Sequence, residues 1–310
     1  MKRIVKNLAK RLLAVVHSVG LKFGLVILPD HYYTPIANIH DLAASRQHWA
    51  HRAPMTGVTM DVKAQAALLA QMVQPFEPEY RGNTIYSEGY TQGFGPGFGY
   101  VEAQCFHGVL RSLKPRRIFE VGSGVSTYCA LKASALNAGE GAPTELVCIE
   151  PYPSAFLQGA AARKEIRLVQ AQVQNLDPAI FDELEAGDLL FIDSTHAVKP
   201  GGDVIHLYLE VIPRLKPGVV VHIHDIYLPY VYQRDVLKGL FQWSETALLL
   251  ALMTNNTRLQ TMFCLSLLHY DAPEALKAVF PEYEHQAAVD GLCSPTDPGH
   301  FPASIYLQTS

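Results

Sequence analysis

The stretch IFEVGSGVSTYCALKA, Ile118 to Ala133, decides the predicted fold of this chain. Glu120 closes an apolar strand, and a glycine-containing turn then leads into helix formers that begin at Ser126. We expect Gly122 and Gly124 to allow positive φ angles, so that the backbone of the turn can lie close against a ligand. A strand, a glycine turn and a helix in this order predict a nucleotide-cofactor site, although many such turns bind nothing.

A second strand supports a nucleotide ligand. The segment ELVCIEP places Glu150 at the end of an apolar run over residues 145–151. In dinucleotide-binding folds a carboxylate at this place accepts hydrogen bonds from ribose hydroxyls. The turn argues against a dinucleotide, because no third glycine follows Gly124 at the required spacing. The charge of Glu120 would also repel a pyrophosphate, and it favours a cationic ligand such as the amino group and sulfonium of S-adenosylmethionine.

Strands and helices continue to alternate after this region. Apolar runs at IRLVQAQ, DLLFID and GVVVHIHD, followed by strands near 261–267 and 304–308, complete seven predicted strands. The pattern predicts an α/β fold with a Rossmann-like, doubly wound and mostly parallel sheet. Ligands of such sheets bind at the carboxyl ends of the strands. Five strands end there in polar residues, which are Glu120, Glu150, Gln172, Asp193 and Asp225.

Length and composition fit one large domain with an appendage. The chain has 310 residues, of which 49% are hydrophobic, and a formal net charge of −4. We predict a helical extension over residues 1–80 and a main domain over residues 81–310. Without a basic excess, nucleic acid is not an expected partner. The five cysteines have no zinc-ligand or redox spacing and are expected to be reduced thiols of a cytoplasmic protein.

The first thirty residues predict a basic amphipathic helix. Their apolar run is short and is interrupted by His17, Ser18 and Lys22, so it should not span a bilayer. We expect the helix to pack on its own domain or on a partner, which makes a homodimer plausible. Peripheral contact with a membrane surface is the alternative.

Glycines and aromatic residues alternate over residues 80–100. Glycines permit movement and aromatic rings provide apolar contact, so the segment is predicted to be a lid over cofactor and substrate. Its candidate substrate contacts are Tyr90, Phe98 and Tyr100. The alternative is an irregular connector whose rings fill the core.

The segments EVGSGVST, VCIEPYP and LLFIDSTHAVKPGGDV resemble the first, second and fourth motifs of class I S-adenosylmethionine-dependent methyltransferases. HYYTPI and VHIHDIYLPYVY further resemble a bacterial and fungal branch of small-molecule methyltransferases. The resemblance implies S-adenosylmethionine as cofactor and a small molecule as acceptor. It also implies a cofactor-binding set of Glu120, Gly122, Ser123, Gly124, Glu150, Gln174, Asp193 and Ser194. Gln174 stands where the family commonly has an acid.

Two histidines are candidates for the chemistry. Methyl transfer to a hydroxyl requires alignment and removal of a proton, and histidine can remove it near neutral pH. His196 and His224 follow the fourth and fifth predicted strands, and Asp225 or Asp193 could orient either imidazole. His222 lies one step deeper in the sheet and is expected to be structural.

A metal is a variant of this mechanism. By resemblance to catechol-type O-methyltransferases, its ligands would be Asp193, His224 and Asp225. A histidine among them suits zinc, iron or manganese better than magnesium, and we favour chemistry without a metal. The preferred function is O-methylation of a hydroxyl or carboxylate. A non-catalytic or cofactor-sensing relative is the main alternative, and an NAD-dependent oxidoreductase is a weaker one.

Overall fold

The computed structural model of the protein describes residues 2–93 and 97–310, with side chains from residue 9 onward. The chain divides into two compact units. Met1–Trp49 and Leu237–Gln242 form the smaller unit, and Ala50–Val236 and Trp243–Ser310 form the larger one.

A seven-stranded sheet forms the centre of the larger unit. Its strands are β1 Arg117–Val121, β2 Glu145–Ile149, β3 Arg167–Val169, β4 Leu189–Ile192, β5 Val220–His224, β6 Leu259–Cys264 and β7 Ser304–Thr309. They lie in the order β3-β2-β1-β4-β5-β7-β6. Strands β1 to β5 are parallel to one another, and β7 pairs antiparallel with β5 and β6. The predicted doubly wound, mostly parallel sheet is confirmed.

Helices accompany the sheet and form most of the smaller unit. The α-helices are α1 Lys2–Lys22, α2 Ile39–Ala44, α3 Arg46–Trp49, α4 Val62–Val73, α5 Glu77–Tyr80, α6 Thr84–Thr91, α7 Tyr100–Leu113, α8 Val125–Gly139, α9 Ala155–Ala162, α10 Asp203–His206, α11 Glu245–Met253, α12 Leu265–Asp271 and α13 Pro273–Val279. Among the described residues, no helix has the length and apolar character to cross a membrane.

The sheet is buried on both faces, which explains its continuous apolar strands. Ile118 of β1 packs in one core with Leu146 and Phe191, whereas its neighbour Phe119 packs in the other core with Val147. Successive side chains point to opposite faces of a strand, so each strand contributes to both cores.

One predicted strand ends earlier in the structure than the sequence indicates. The expected strand over residues 261–267 stops at Cys264, and Leu265–Asp271 is the helix α12. A short buried helix and a buried strand have the same apolar sequence pattern, so the pattern could not separate them. Between β4 and β5 the helical segment is divided into α10, a π-helical turn at Leu207–Val211 and a 3₁₀ turn at Ile212–Arg214.

The segment preceding β1 is more regular than the expected lid. Residues 84–91 form α6, and a Cβ on Gly89 would lie 3.1 Å from the ring of Tyr128. This glycine therefore serves close packing of α6 on α8. Phe94 and Gly95, also part of the predicted lid, lie outside the described residues.

The larger unit already includes residues 50–80, since α4 contacts β6 and α7. The domain boundary expected after residue 80 stays a prediction.

Candidate active site

A cleft of about 270 Å³ lies at the carboxyl ends of the parallel strands. Its lining brings together five of the residues predicted to bind cofactor, which are Gly122, Glu150, Gln174, Asp193 and Ser194. Glu120, Ser123 and Gly124 do not line it. The predicted rim of the sheet is therefore a concave site, built mainly from the connections after β1, β2, β3 and β4.

Gly122 gives the turn after β1 its shape. Its φ is +80°, and a Cβ at this position would overlap the backbone carbonyl oxygen of Asp193. Only glycine fits without strain, because side chains disfavour this φ and the neighbouring backbone cannot withdraw. Gly124 differs from the expectation: its φ is −167°, which is extended backbone. It is the N-cap of α8, and its N–H donates to Thr127 Oγ1 at 3.2 Å.

Glu120 is fully buried beneath this turn. Its carboxylate accepts hydrogen bonds from Ser126 Oγ at 2.7 Å and from Thr127 Oγ1 at 2.6 Å. Burial raises its pKa from 4.5 to about 7, although these hydroxyl donors oppose the rise. Glu120 thus connects β1 to the first turn of α8 and does not face the cleft.

Glu150 and Ser194 present polar atoms at the cleft. The Glu150 carboxylate accepts hydrogen bonds from the backbone N–H of Ser123 at 3.3 Å and of Tyr152 at 2.8 Å. These bonds fix its orientation and leave acceptor capacity for a ligand hydroxyl. Ser194 Oγ is buried and has no hydrogen-bond partner among the described residues. A buried hydroxyl of this kind is costly unless a ligand or water satisfies it.

His196 lies beside the cleft between carboxylates. Its Nδ1 is 2.7 Å from Glu245 Oε2, and its Nε2 is 3.4 Å from both Asp193 Oδ1 and Asp225 Oδ2. Burial alone would lower the pKa of His196, but hydrogen bonds to Asp193 and Glu245 outweigh it and raise the pKa to about 10.

His224, at the end of β5, lies between a second set of carboxylates. Its Nε2 is 3.1 Å from Glu102 Oε1, and its Nδ1 is 3.3 Å from Asp193 Oδ1. Burial opposes its charge, yet nearby Asp225 and Asp193 hold the pKa of His224 well above its usual value. Asp193 therefore contacts both imidazoles and also lines the cleft.

The carboxylates of this cluster differ from one another. Burial raises the pKa of Asp225, although His224 and His196 oppose the rise. For Asp193 burial acts in the same direction, but the charge of His224 and bonds to both histidines hold the pKa well below its usual value. Asp225 Oδ1 accepts a hydrogen bond from Tyr227 at 2.9 Å. Asp225 is thus the more basic of the two aspartates.

The backbone is strained at two residues of this cluster. His196 has φ +57° and Asp225 has φ +56°, in the left-handed region that residues with a Cβ seldom adopt. The N–H groups of Ser244 and Glu245 both donate to the carbonyl oxygen of His196, at 3.0 and 3.2 Å. Such strain often accompanies functional sites, where surrounding contacts maintain it.

Three side chains could together hold a metal ion. One ligand atom each from Asp193, His196 and Asp225 lie within 4.8 Å of one another. His224, expected in this role, is not in the set. Two carboxylate oxygens and one imidazole nitrogen suit manganese, iron or zinc better than magnesium.

Comparison with known proteins agrees with this site. Residues 119–226, which include the turn after β1 and both histidines, match the model of a family described as a methyltransferase domain. Over these residues the chain is similar to methyltransferase domains. The resemblance predicted from the sequence is thereby confirmed for this segment.

The chain is also similar to several individual proteins. An uncharacterized protein of Archaeoglobus fulgidus is 27% identical over 180 residues, which cover 54% of this chain and 78% of that protein. The plantazolicin methyltransferase BamL, solved with a triazolic desmethylPZN analog and SAH, has a TM-score of 0.39 at 12% identity, and the match covers 80% of this chain and 97% of that chain. A structure titled cmcI-D160 Mg-SAM has a TM-score of 0.31 at 12% identity and covers 66% and 69%.

Two acids that contact the histidines of this site were not predicted from the sequence. Glu102 of α7 is fully buried, hydrogen-bonds His300, and places Oε1 3.1 Å from His224 Nε2. Burial would raise its pKa, but the rings of His300 and His224 hold it well below the usual range. Glu245 begins α11 and is also buried. The available signal was a glutamate within the apolar run VEAQCF, since buried acids are rare without a partner.

The predicted lid contacts separate into two groups. Phe98 is buried, and its ring lies 5.1 Å from that of His224. Tyr100 lies 5.8 Å from the ring of His300. Tyr90 is exposed and contacts Tyr86 on α6. Phe98 therefore adjoins His224, and Tyr100 adjoins His300.

The structural assignment of His222 agrees with the sequence argument. It is fully buried, stacks on Tyr306 at 4.0 Å, and lies 3.2 Å from Ser304 Oγ. Burial holds its pKa well below the usual value. A neutral, enclosed imidazole of this kind contributes packing.

Proposed function

We propose that this protein is an S-adenosylmethionine-dependent methyltransferase that methylates an oxygen of a small molecule, either a hydroxyl or a carboxylate. The observation that carries the proposal is the position of Asp193. This residue lines the cleft of the methyltransferase domain and contacts both histidines of the adjoining cluster. A cofactor site and a proton-handling site therefore share one side chain.

The residues of the cleft fit S-adenosylmethionine. Glu150 would accept the ribose hydroxyls, and Gln174 would lie at the adenine, since both line the cleft. The buried Ser194 hydroxyl has no other partner among the described residues and would gain one from the ligand. When bound, the cofactor supplies an electrophilic methyl group.

The charge state of the cluster decides which residue could take a proton from a hydroxyl acceptor. With a pKa near 10, His196 is mainly protonated at neutral pH and balances the surrounding carboxylates. His224 is held in the same state. Asp225, whose pKa is raised by burial, is then the best-suited acceptor in the cluster. A carboxylate substrate is already ionised and needs only orientation.

A divalent cation fits the donor set of Asp193, His196 and Asp225. Bound there, it would supply positive charge for an acceptor oxygen. The chain's own contribution would be to hold the ligands: Glu245 at His196 Nδ1, and Tyr227 at Asp225 Oδ1.

Calorimetry with S-adenosylhomocysteine tests the proposal. Wild-type protein is expected to bind with micromolar affinity, and Glu150→Gln to bind at least about tenfold more weakly because a ribose acceptor is lost. Glu185→Gln is the matched control, since Glu185 lies on the surface in an ion pair with Lys216. A folded wild type that does not bind refutes the proposal, as does equal binding by the two variants.

Acceptor screening then separates the two chemistries. Asp225→Asn should abolish most turnover with a hydroxyl acceptor, whereas a carboxylate acceptor should retain it. Cofactor binding without transfer to any acceptor would favour a cofactor-sensing protein.

A further inference from the structure

The smaller unit carries an apolar surface that the proposed chemistry does not use. Nine large apolar side chains of α1 and the segment after it are between 41% and 77% exposed. They are Leu12, Val15, Val16, Val19, Leu21, Phe23, Leu25, Val26 and Leu28. Exposed apolar patches of this extent mark interaction sites in soluble proteins.

Four of the five residues on α1 lie on one side of the helix, and Leu21 lies on the opposite side. At 100° per residue, positions 12, 15, 16 and 19 share an arc of about 100°. From Leu12 to Val19 the helix therefore presents one apolar stripe.

The segment after α1 folds back without covering the stripe. Leu25 N–H donates to the carbonyl oxygen of Gly20 at 2.9 Å, and His17 Nδ1 lies 2.8 Å from the carbonyl oxygen of Ile27. Gly20 permits this approach, because a Cβ would lie 2.9 Å from the Leu25 carbonyl oxygen. Positions 17 and 20 lie outside the stripe in the helical register. The loop thus adds its own exposed residues beside α1.

The charge of this unit is opposite to that of the whole chain. Residues 1–29 contain six of the 25 lysines and arginines and none of the 29 acidic residues, although the formal net charge of the chain is −4. In the register of α1, Arg11 and Lys22 border the stripe on one side. A helix with an apolar stripe beside basic residues, in a segment with a basic excess, has the pattern of an interfacial membrane helix.

We propose that this unit binds the surface of an anionic lipid bilayer, with the α1 stripe and the loop at Phe23–Leu28 entering the interface. Basic side chains beside the stripe would meet acidic headgroups, each adding attraction. Tyr32 and Tyr33, which are 81% and 80% exposed, have the amphipathic rings that favour this depth.

A second copy of the chain fits the same surface less well. Pairing two α1 stripes would bring two sets of basic residues together with no acidic residue from positions 1–29 to balance them. Such like-charge contact opposes association. An anionic bilayer satisfies both the apolar stripe and the charge.

Vesicle sedimentation of the full chain tests this proposal. The vesicles are phosphatidylcholine alone and phosphatidylcholine with about 30% phosphatidylglycerol, at about 0.05 M and about 0.5 M NaCl. Wild type should bind the anionic vesicles at low salt at least about tenfold more tightly than the neutral ones, and high salt should weaken binding. The variant Val15→Glu/Val19→Glu should bind at least about tenfold more weakly.

The control applies the same substitution elsewhere. Val289 of the larger unit is 94% exposed, so Val289→Glu adds a carboxylate to an accessible position outside α1. It should bind vesicles like wild type. Circular dichroism and S-adenosylhomocysteine affinity check that all variants are folded.

Three results would overturn the proposal. The first is a folded wild type that ignores anionic vesicles, and the second is equal loss of binding in the Val289 variant. The third is a dimer in sedimentation velocity that the double variant dissociates while vesicle binding is absent, which would assign the stripe to a second copy.

Discussion

Replacing Glu120 by glutamine should change how the stability of the protein depends on pH. The carboxyl of Glu120 is fully buried, and its pKa rises from an ordinary 4.5 to about 7 because burial disfavours the charged form. Each pH unit between these values is worth about 1.4 kcal/mol, so the full effect is ~3 kcal/mol. Because the Glu120 carboxyl is inaccessible to solvent, this energy is not reduced by solvent screening.

The direction of this pH effect follows from the linkage between proton binding and folding. Since the folded-state pKa lies above the unfolded one, the folded state binds more protons between pH 4.5 and about 7, and Glu120 makes it progressively less stable as the pH rises through this window. Glutamine keeps a hydrogen-bonding side chain for Ser126 and Thr127 but cannot ionise. The difference in unfolding free energy, Glu120→Gln minus wild type, should therefore increase by ~3 kcal/mol across the window.

Urea unfolding followed by circular dichroism at a series of pH values measures this difference. Glu185→Gln serves as the surface control and should show little change across the same range. A Glu120→Gln difference that stays constant with pH, or that grows as the pH falls, would refute the reasoning.

Three further predictions concern the turn and the histidine cluster. Gly122→Ala should cost about 2 kcal/mol more than Gly141→Ala in thermal or urea unfolding, because both glycines have positive φ but only Gly122 faces the Asp193 carbonyl; equal costs would contradict this. Glu102→Gln should lower kcat about a hundredfold with S-adenosylhomocysteine affinity unchanged, because it weakens the hold on His224, which does not line the cleft. A parallel loss of binding would disprove a positioning role. His196→Ala should weaken Mn²⁺ binding in calorimetry at least about tenfold, and unchanged affinity would exclude it as a ligand.

Much of the fold was predictable because strands buried on both faces have unusual sequences. The apolar runs at β1, β2, β4 and β5 could be recognised, and Glu150 and Asp193 were located by their place at strand ends. Gly122 was identified by the turn that follows β1. These features depend on residues close together in the sequence.

The remaining features depend on contacts between distant segments. Glu102 precedes His224 by more than a hundred residues, and only the packing of α7 against β5 brings them together. The end of β6 at Cys264 similarly involves its N–H donating to the Gln65 side chain on α4. Periodicity carries no information about such partners.

Asp193 belongs to both the cleft and the histidine cluster, and under the proposed function this limits how the acceptor preference of the protein could change. Its backbone packs against Gly122, while its side chain belongs to both the cleft and the histidine cluster. Phe98 lies on a connection next to His224, and Tyr100, at the start of α7, lies next to His300. If the proposed function holds, acceptor preference would be able to diverge through residues near Phe98 and His300 while cofactor recognition persists, whereas a change at Asp193 would alter both properties at once.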